Sequence, residues 1–563
     1  MSERDFFELK QGEYSEEEPP EYYPFSYELD NFQKYGFDAI SKNENILVTA
    51  HTGAGKTALA IYGIAKWLNR DDSQIIYCSP IKALSNQKYK EFKEKFEDRT
   101  TIGILTGDVK INPTARVLIM TAEILRNALV SSANEIDDVY DFKFNTDKVK
   151  CIILDEVHYI NNSERGKVWE EILSIVNPKI QIIMLSATLS KSEELAKWVG
   201  KEKQVMCKLI PTDFRPVPLN HYLYDFSRER DKEFPSDPLV CVSKGKDINV
   251  AEETSGWVSG KWSEVFKSIK KFQKKNNLRY INYPGVLFDS IKYCKNNSML
   301  PVNIFILDRN KLEKLANDIP TTFIMDDLQL AKIDKIWNNH LLPYKNVFEN
   351  TKQWNIIYKL AIKGIGIHHS GIIPILKEIV EILYEEGLIK VLFATETFAM
   401  GVNMPTKTVI FYSVSKFDGN EKRSLRPEEY IQMAGRAGRR GYDTFGSVII
   451  IPDSNLENEN DSKKMIISDP QSLSSKLTID YTFVLKRLLL HTQSKEQDEL
   501  FLDYVISSLS SSLKSRSQEK AYIYNSKFLN SNLNDSKVVL SINYEKLIDM
   551  LNPELKTKLT DNF

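Results

Sequence analysis

"CIILDEVHYI", Cys151 to Ile160, sets the reading of this chain. An apolar run of strand length ends in two adjacent carboxylates, Asp155 and Glu156, and His158 follows two places on. Alone, such acids are a solvated strand end. They gain meaning from a stretch well upstream, "AHTGAGKT", Ala50 to Thr57. It follows the apolar run "NILVTA" and opens "KTALAIYGIAKWL", whose apolar residues recur at helical spacing. Strand, glycine-rich loop and helix are the setting that a phosphate loop requires, with Ala50 where the motif's first Gly would stand. From Thr52 through Gly53, Ala54 and Gly55 the small residues let main-chain N–H groups close around a phosphate. Lys56 is placed to neutralise the β- and γ-oxygens and Thr57 to hold Mg2+.

A parallel strand delivers its C-terminal residues to the carboxyl edge of the sheet, so Asp155 and Glu156 are expected beside that loop. Asp155 would act on magnesium, partly through water, and Glu156 would orient and deprotonate the attacking water. His158 sits just into the next loop, where it can bridge to "SAT", Ser186 to Thr188, at the following strand end. Its expected role, with Ser186 and Thr188, is to couple the nucleotide site to a second domain rather than to act in the chemistry.

The surrounding pattern is α/β. "SQIIYCSP", "ARVLIMTA", "KCIILDE" and "IQIIMLSAT" read as strands between amphipathic helical stretches, which implies a parallel sheet covered on both faces. Between Pro211 and Met299 the alternation weakens around the basic stretch "KWSEVFKSIKKFQKKNNLRY". A second set of strands then runs through "PVNIFILD", "KVLFATET", "KTVIFYS" and "GSVIIIP". The expected layout is a flexible acidic lead-in over 1–22, a first sheet domain over 23–210, a linker and insertion over 211–300, a second sheet domain over 301–455, and a mainly helical, Ser/Asn-rich end over 456–563.

Composition sets limits. At 563 residues the chain has room for about three domains. Its net charge of −2 means that a nucleic-acid partner would have to be met by a local basic groove. Five scattered cysteines without metal-ligand spacing argue against a zinc site and for a reducing, intracellular compartment, cytoplasm and nucleus standing equal. No apolar run approaches the ~18 residues of a membrane span, and the acidic N-terminus has no apolar segment of the secretory kind. No membrane partner is expected.

Further motifs stand in order: "SPIKALSNQKY" (Ser79–Tyr89), "TGD" (Thr106–Asp108), "MTAEILRN" (Met120–Asn127), the long block from Gly364 to Phe411, and "EEYIQMAGRAGRRG" (Glu428–Gly441). With Asp155-Glu156-Val157-His158 they resemble the DExH-box helicases of superfamily two, in particular the superkiller-like group that feeds RNA to the exosome. The resemblance runs from about Tyr23 to His491. It implies two tandem RecA-like parallel-sheet domains followed by a short, mainly helical C-terminal region. It also implies ATP and Mg2+ as cofactors, and single-stranded or tailed-duplex RNA as partner, within an RNA-decay or processing complex.

The same resemblance lends roles to positions. Tyr27 would stack on adenine and Gln33 would hydrogen-bond the base edge. Gln432, Arg436 and Arg439 would reach the triphosphate from the second domain on closure. Pro80, Lys82, Thr106, Gly107, Thr121 and Glu123 would line a nucleic-acid groove in the first domain, and Thr395 and Thr397 in the second. His368 and His369 are a mark of the group, expected to serve structure or the domain interface. Fuller members continue with a winged-helix region, an inserted arch and a ratchet bundle. "SSKLTIDYTFVLKRLLLH" resembles the start of the winged region, and the residues up to Phe563 leave no room for the arch or a full ratchet. Three readings compete: an ATP-dependent RNA helicase working 3′ to 5′, a DNA helicase of the same superfamily, and an ATP-gated clamp or assembly factor that does not unwind.

Overall fold

The computed structural model describes residues 6–467, save 52, 71–72, 133–143, 163–164, 213–214, 231–235, 246–255, 325, 402–403, 405, 418–421, 454–455 and 457. The first domain is built on strands β1 (Phe7–Leu9), β2 (Asn45–Ala50), β3 (Gln74–Ser79), β4 (Ile102–Leu105), β5 (Lys110–Ile111), β6 (Val117–Thr121), β7 (Val149–Leu154), β8 (Gln181–Ser186) and β9 (Cys207–Thr212). They lie in the order β1-β9-β2-β8-β7-β3-β6-β4-β5, parallel throughout except for the β4–β5 pair at the edge.

The apolar runs are continuous because both faces are buried. In β7, Ile152 and Leu154 enter one hydrophobic core with Trp169, while Cys151 and Ile153 enter another with Phe37 and Tyr62. Strand β3 divides in the same way, Ile76 and Cys78 against Ile75 and Tyr77.

The second domain carries β10 (Leu219–Tyr224), β11 (Leu239–Lys244), β12 (Gly256–Trp257), β13 (Val302–Phe305), β14 (Ile365–His368), β15 (Val391–Ala394) and β16 (Thr408–Phe411), a hairpin of β17 (Ser415–Phe417) and β18 (Lys422–Ser424), and β19 (Gly446–Ile450). Its sheet runs β12-β11-β10-β19-β16-β13-β15-β14. The two domains are thus the tandem RecA-like parallel sheets that the sequence leads one to expect.

Two boundaries differ from expectation. The acidic lead-in is not loose from Phe6 onward: Phe7–Leu9 pairs in parallel with Cys207–Leu209, and Tyr14 and Tyr22 pack edge-on against Tyr35 and Tyr62. Aromatic residues among the acids hold the segment down. The described residues of 211–300, expected as linker and insertion, join the second domain's sheet and core. β10 pairs with β19, and the helices Lys261–Lys275 and Tyr283–Asn296 bury Trp262, Val265, Val286 and Leu287 in the second domain's core. Trp262 Nε1 donates to Leu456 O at 2.7 Å, tying this stretch to the far end of the domain. The helical segments expected from 474 onward lie outside the described residues.

Candidate nucleotide site and nucleic-acid groove

Strand order divides the carboxyl edge of the first sheet in two. β2, β8 and β7 are neighbours, so the phosphate loop, Ser186–Thr188 and Asp155-Glu156 emerge side by side. β3, β6 and β4 come next, and after them stand Pro80, Thr121 at the end of its strand, and Thr106 with Gly107. One half of the edge gathers the nucleotide chemistry and the other the loops expected to face a strand.

Gly53 and Gly55 sit at φ of +83° and +97°, the left-handed region in which a side chain is strained. A Cβ at Gly53 would meet nothing within 4 Å, so the loop is open on the side where phosphates are expected. Ala54 is buried beneath it and Thr52 lies outside the described residues. Lys56 Nζ folds back on Ala50 O at 2.7 Å and His51 O at 3.2 Å. Burial lowers its pKa, against the pull of Glu156 and Asp155. Gln33 is fully buried: its Oε1 accepts from Asp30 N at 2.9 Å and its Nε2 donates to Gly55 O at 3.0 Å. It therefore caps the helix Asn31–Ser41 and pins the phosphate loop. Tyr27, half exposed, leaves its ring available for stacking.

Asp155 continues the ladder, its N–H donating to Cys78 O at 2.9 Å. Its carboxylate accepts from the Tyr77 hydroxyl. Burial, then the adjacent Glu156, push its pKa up to about 6, against Lys88, Tyr77 and Lys56. Glu156 holds φ of +55°, rare for a residue with a side chain, and its N–H donates to Asp155 Oδ1 at 3.0 Å. Burial disfavours its charge, but nearby positive groups hold its carboxyl below the ordinary range. His158 is the largest of these, ahead of Lys56, Arg436 and Lys88, and burial pushes its own pKa down against the pull of Glu156.

The left-handed turn at Glu156 sends the chain into the 3-10 turn Val157–Asn161. That leaves His158 Nδ1 at 3.2 Å from Glu156 Oε2. The expected bridge from His158 to Ser186 or Thr188 is not formed among the described residues. Ser186 is buried with its Oγ unpartnered among them, and Thr188 is half-buried. Two groups missed in the sequence complete the acid site. Tyr77 is one, and Lys88 is the other, its Nζ donating to Thr57 Oγ1 at 3.2 Å and to Glu91 Oε2 at 2.8 Å.

The second domain faces this site with the loop after the helix Pro427–Ala434, on which Gln432 is half-buried. Arg436 is buried, donates to Ala399 O, and acts electrostatically on both Glu156 and Lys56. Arg439, expected at the triphosphate, is instead clasped by Asp443 at 2.7 and 2.9 Å, an acid four residues on that takes both arms of its fork. Arg440 crosses to the first domain, with Nη2 at 3.3 Å from Asp30 Oδ2 and Nη1 at 3.5 Å from Ala54 O. Arg215 braces the loop by donating to Gly435 O at 3.0 Å and Val217 O at 2.9 Å.

In the groove half, Lys82 is exposed and paired with Asp108, beside Gly107. Thr106 Oγ1 accepts from Val109 N at 3.2 Å, capping its turn. Arg165 Nη1 donates to Pro80 O at 2.9 Å and its Nε stands 3.8 Å from Glu123. Thr121 is buried. In the second domain Thr395 and Thr397 share a hydroxyl contact at 3.0 Å after β15. His368 and His369 are buried against Glu381 at 2.7 Å and Glu313 at 3.0 Å. Lys90 and Glu378 add a second ion pair between the domains.

Residues 30–196 match the DEAD/DEAH box helicase model and 347–441 the helicase conserved C-terminal domain. The chain is 38% identical over 483 residues to mRNA transport homolog 4 of Caenorhabditis elegans, covering 85% of this chain and 44% of that protein. It is 39% identical over 476 residues to mouse Superkiller complex protein 2, covering 84% and 37%. It is 38% identical over 490 residues to the ATP-dependent RNA helicase mtr4 of Schizosaccharomyces pombe, covering 85% and 41%. The chain thus spans less than half the length of these curated relatives. Fold and site together define a helicase core of superfamily two. Within that superfamily the chain belongs to the superkiller-like group of DExH-box helicases.

Proposed function

We propose that the protein is an ATP-dependent RNA helicase that translocates on single-stranded RNA and unwinds tailed duplexes 3′ to 5′, in RNA processing or decay inside the cell. The observation that carries this reading is that the buried Arg436 of the second domain acts electrostatically on both Lys56 and Glu156 of the first, across the domain cleft. Names of relatives such as "Superkiller complex protein 2" and "Exosome RNA helicase MTR4" support RNA as the substrate.

The residues have separable tasks. Tyr27 stacks on the base of ATP, Gln33 reaches the base edge once its amide lets go of Gly55 O, and Gly53, Ala54 and Gly55 wrap the phosphates with main-chain N–H groups. Lys56 leaves its loop carbonyls for the β- and γ-oxygens. Glu156, ionised at neutral pH, takes the proton of the attacking water. Arg436 matches the charge that spreads over the transferring phosphoryl. Thr57 and Asp155 would hold Mg2+, and they fit a cation: the Lys88 ammonium lies 3.2 Å from Thr57 Oγ1 and acts electrostatically on Asp155. Magnesium, when bound, neutralises phosphate charge. Because Arg436 and Arg440 belong to the second domain, nucleotide binding draws the domains together and hydrolysis lets them part. The threonines and main-chain groups of the groove then alternate their grip on phosphates without reading sequence.

Glu156→Gln tests the assignment of the base. Turnover should fall by at least a hundredfold while binding of a fluorescent ATP analogue stays within a few-fold. Turnover close to wild type would remove Glu156 from the mechanism.

A further inference from the structure

We propose that the helix Lys261–Lys275, with the turn running on to Tyr280, is a second surface for single-stranded RNA, separate from the interdomain groove. The proposal rests on the RNA reading above. The helix packs on β11, near one edge of the second sheet. Thr395, in the expected groove, follows β15, five strand positions away in the order β11-β10-β19-β16-β13-β15. That is about 24 Å at the usual strand spacing.

Packing accounts for one side of this helix only. Trp262, Val265, Phe266 and Ile269 recur at helical spacing and are buried. The opposite side presents Lys267, Lys270, Lys271, Lys274 and Lys275, all exposed. The helix has one acid, Glu264, and it is already engaged by Lys261 at 2.8 Å and Arg228 at 2.7 Å. From Phe266 to Tyr280 there is no acid at all, in a chain whose net charge is −2. Lys267, Lys271 and Lys274 make no ion pair among the described residues. Like charges three and four residues apart repel and disfavour a helix, so no described partner accounts for Lys267, Lys271 and Lys274, and their complement is a polyanion.

The turn beyond the helix narrows the polyanion to nucleic acid. Tyr280 is 77% exposed, and the Arg279 guanidinium lies 5.6 Å from its ring centroid. Cations along a backbone track ending at an open aromatic face are what a strand with unstacked bases requires. A duplex, its bases stacked inward, leaves that ring without a partner.

The test uses the full chain, an 8-nucleotide and a 30-nucleotide oligouridylate, and anisotropy across a salt series. Lys267→Glu/Lys271→Glu/Lys274→Glu should weaken the 30-mer at least tenfold at low salt. It should also lower the slope of log K against log salt by about 2, three contacts at ~0.7 each. Binding of the 8-mer in the groove should be unchanged, as should ATP hydrolysis without RNA. Tyr280→Ala should weaken the 30-mer several-fold at an unaltered slope. An unchanged 30-mer affinity and slope overturns the proposal in favour of an acidic protein partner or plain solvation. Equal losses on both lengths overturn it as well, because the effect then acts through the groove or the fold. If the wild type binds neither length, the RNA reading itself fails, and this proposal with it.

Discussion

Tyr77→Phe removes one oxygen atom and leaves the ring, which meets Phe92 edge-on at a centroid distance of 5.0 Å, in place. The lost atom is the donor to the buried Asp155 carboxylate. A hydrogen bond to a charged group contributes ~1.5–3 kcal/mol, and 1.36 kcal/mol corresponds to one pH unit of titration. Asp155 already titrates near 6, pushed up by burial and Glu156. In the variant it should titrate about one to two pH units higher.

Holding Mg2+ requires the ionised carboxylate. A raised pKa keeps the proton on to higher pH, so metal affinity falls as pH drops through the titration, near 6 in the wild type and higher in the variant. At pH 7 the variant should need about 2- to 10-fold more Mg2+, because the ionised fraction of Asp155 falls from about 0.9 to between about 0.5 and 0.1, with the gap narrowing towards pH 9. Titrating Mg2+ against binding of a fluorescent ATP analogue, from pH 6 to pH 9, measures this directly. An identical Mg2+ dependence at every pH, or a loss that ignores pH, would refute the role given to Tyr77.

Two predictions address stability and the groove. His221 Nδ1 lies 2.6 Å from the Tyr430 hydroxyl, and burial, then Arg215, lower its pKa to about 3. Its depressed value means that stability is intact above 6.5 and is lost as pH falls towards 3, ~2 kcal/mol of it by pH 5. His221→Asn should flatten the fall in urea midpoint between pH 7 and pH 5, and an equally steep fall would show that the acid sensitivity lies elsewhere. Asp108 holds Lys82 in an exposed ion pair at the mouth of the groove. Asp108→Asn should tighten RNA binding several-fold at low salt and hardly at all at high salt; weaker binding would mean that Asp108 positions Lys82 for RNA.

The parts most legible in sequence were those buried on both faces. β2, β3, β6, β7 and β8 stand out as unbroken apolar runs, and the chemistry sits directly at their ends. β4 and β14 were too short to declare themselves, four residues each with a glycine inside. β10 and β11 were masked by polar residues, as in "LNHYLY" and "LVCVSK", because they lie towards the edge of their sheet.

In sequence Tyr77 is one residue of an apolar strand and Lys88 one lysine among several on a helix. Only the third dimension sets them beside Asp155 and Thr57. The arginine run announced a cation loop without saying which guanidinium crosses the cleft. Asp443, four residues after Arg439, was the available signal that this side chain would be engaged within its own loop. In the N-terminal segment the acids dominate the composition, while Tyr14 and Tyr22 supply the anchoring contacts.

Steady-state ATP hydrolysis, measured with no nucleic acid, with single-stranded RNA, and with single-stranded DNA of the same sequence at two salt concentrations, tests the central claim most directly. The account predicts strong stimulation by RNA over DNA, weakening as salt rises. Equal stimulation by both, or hydrolysis indifferent to either, would contradict it.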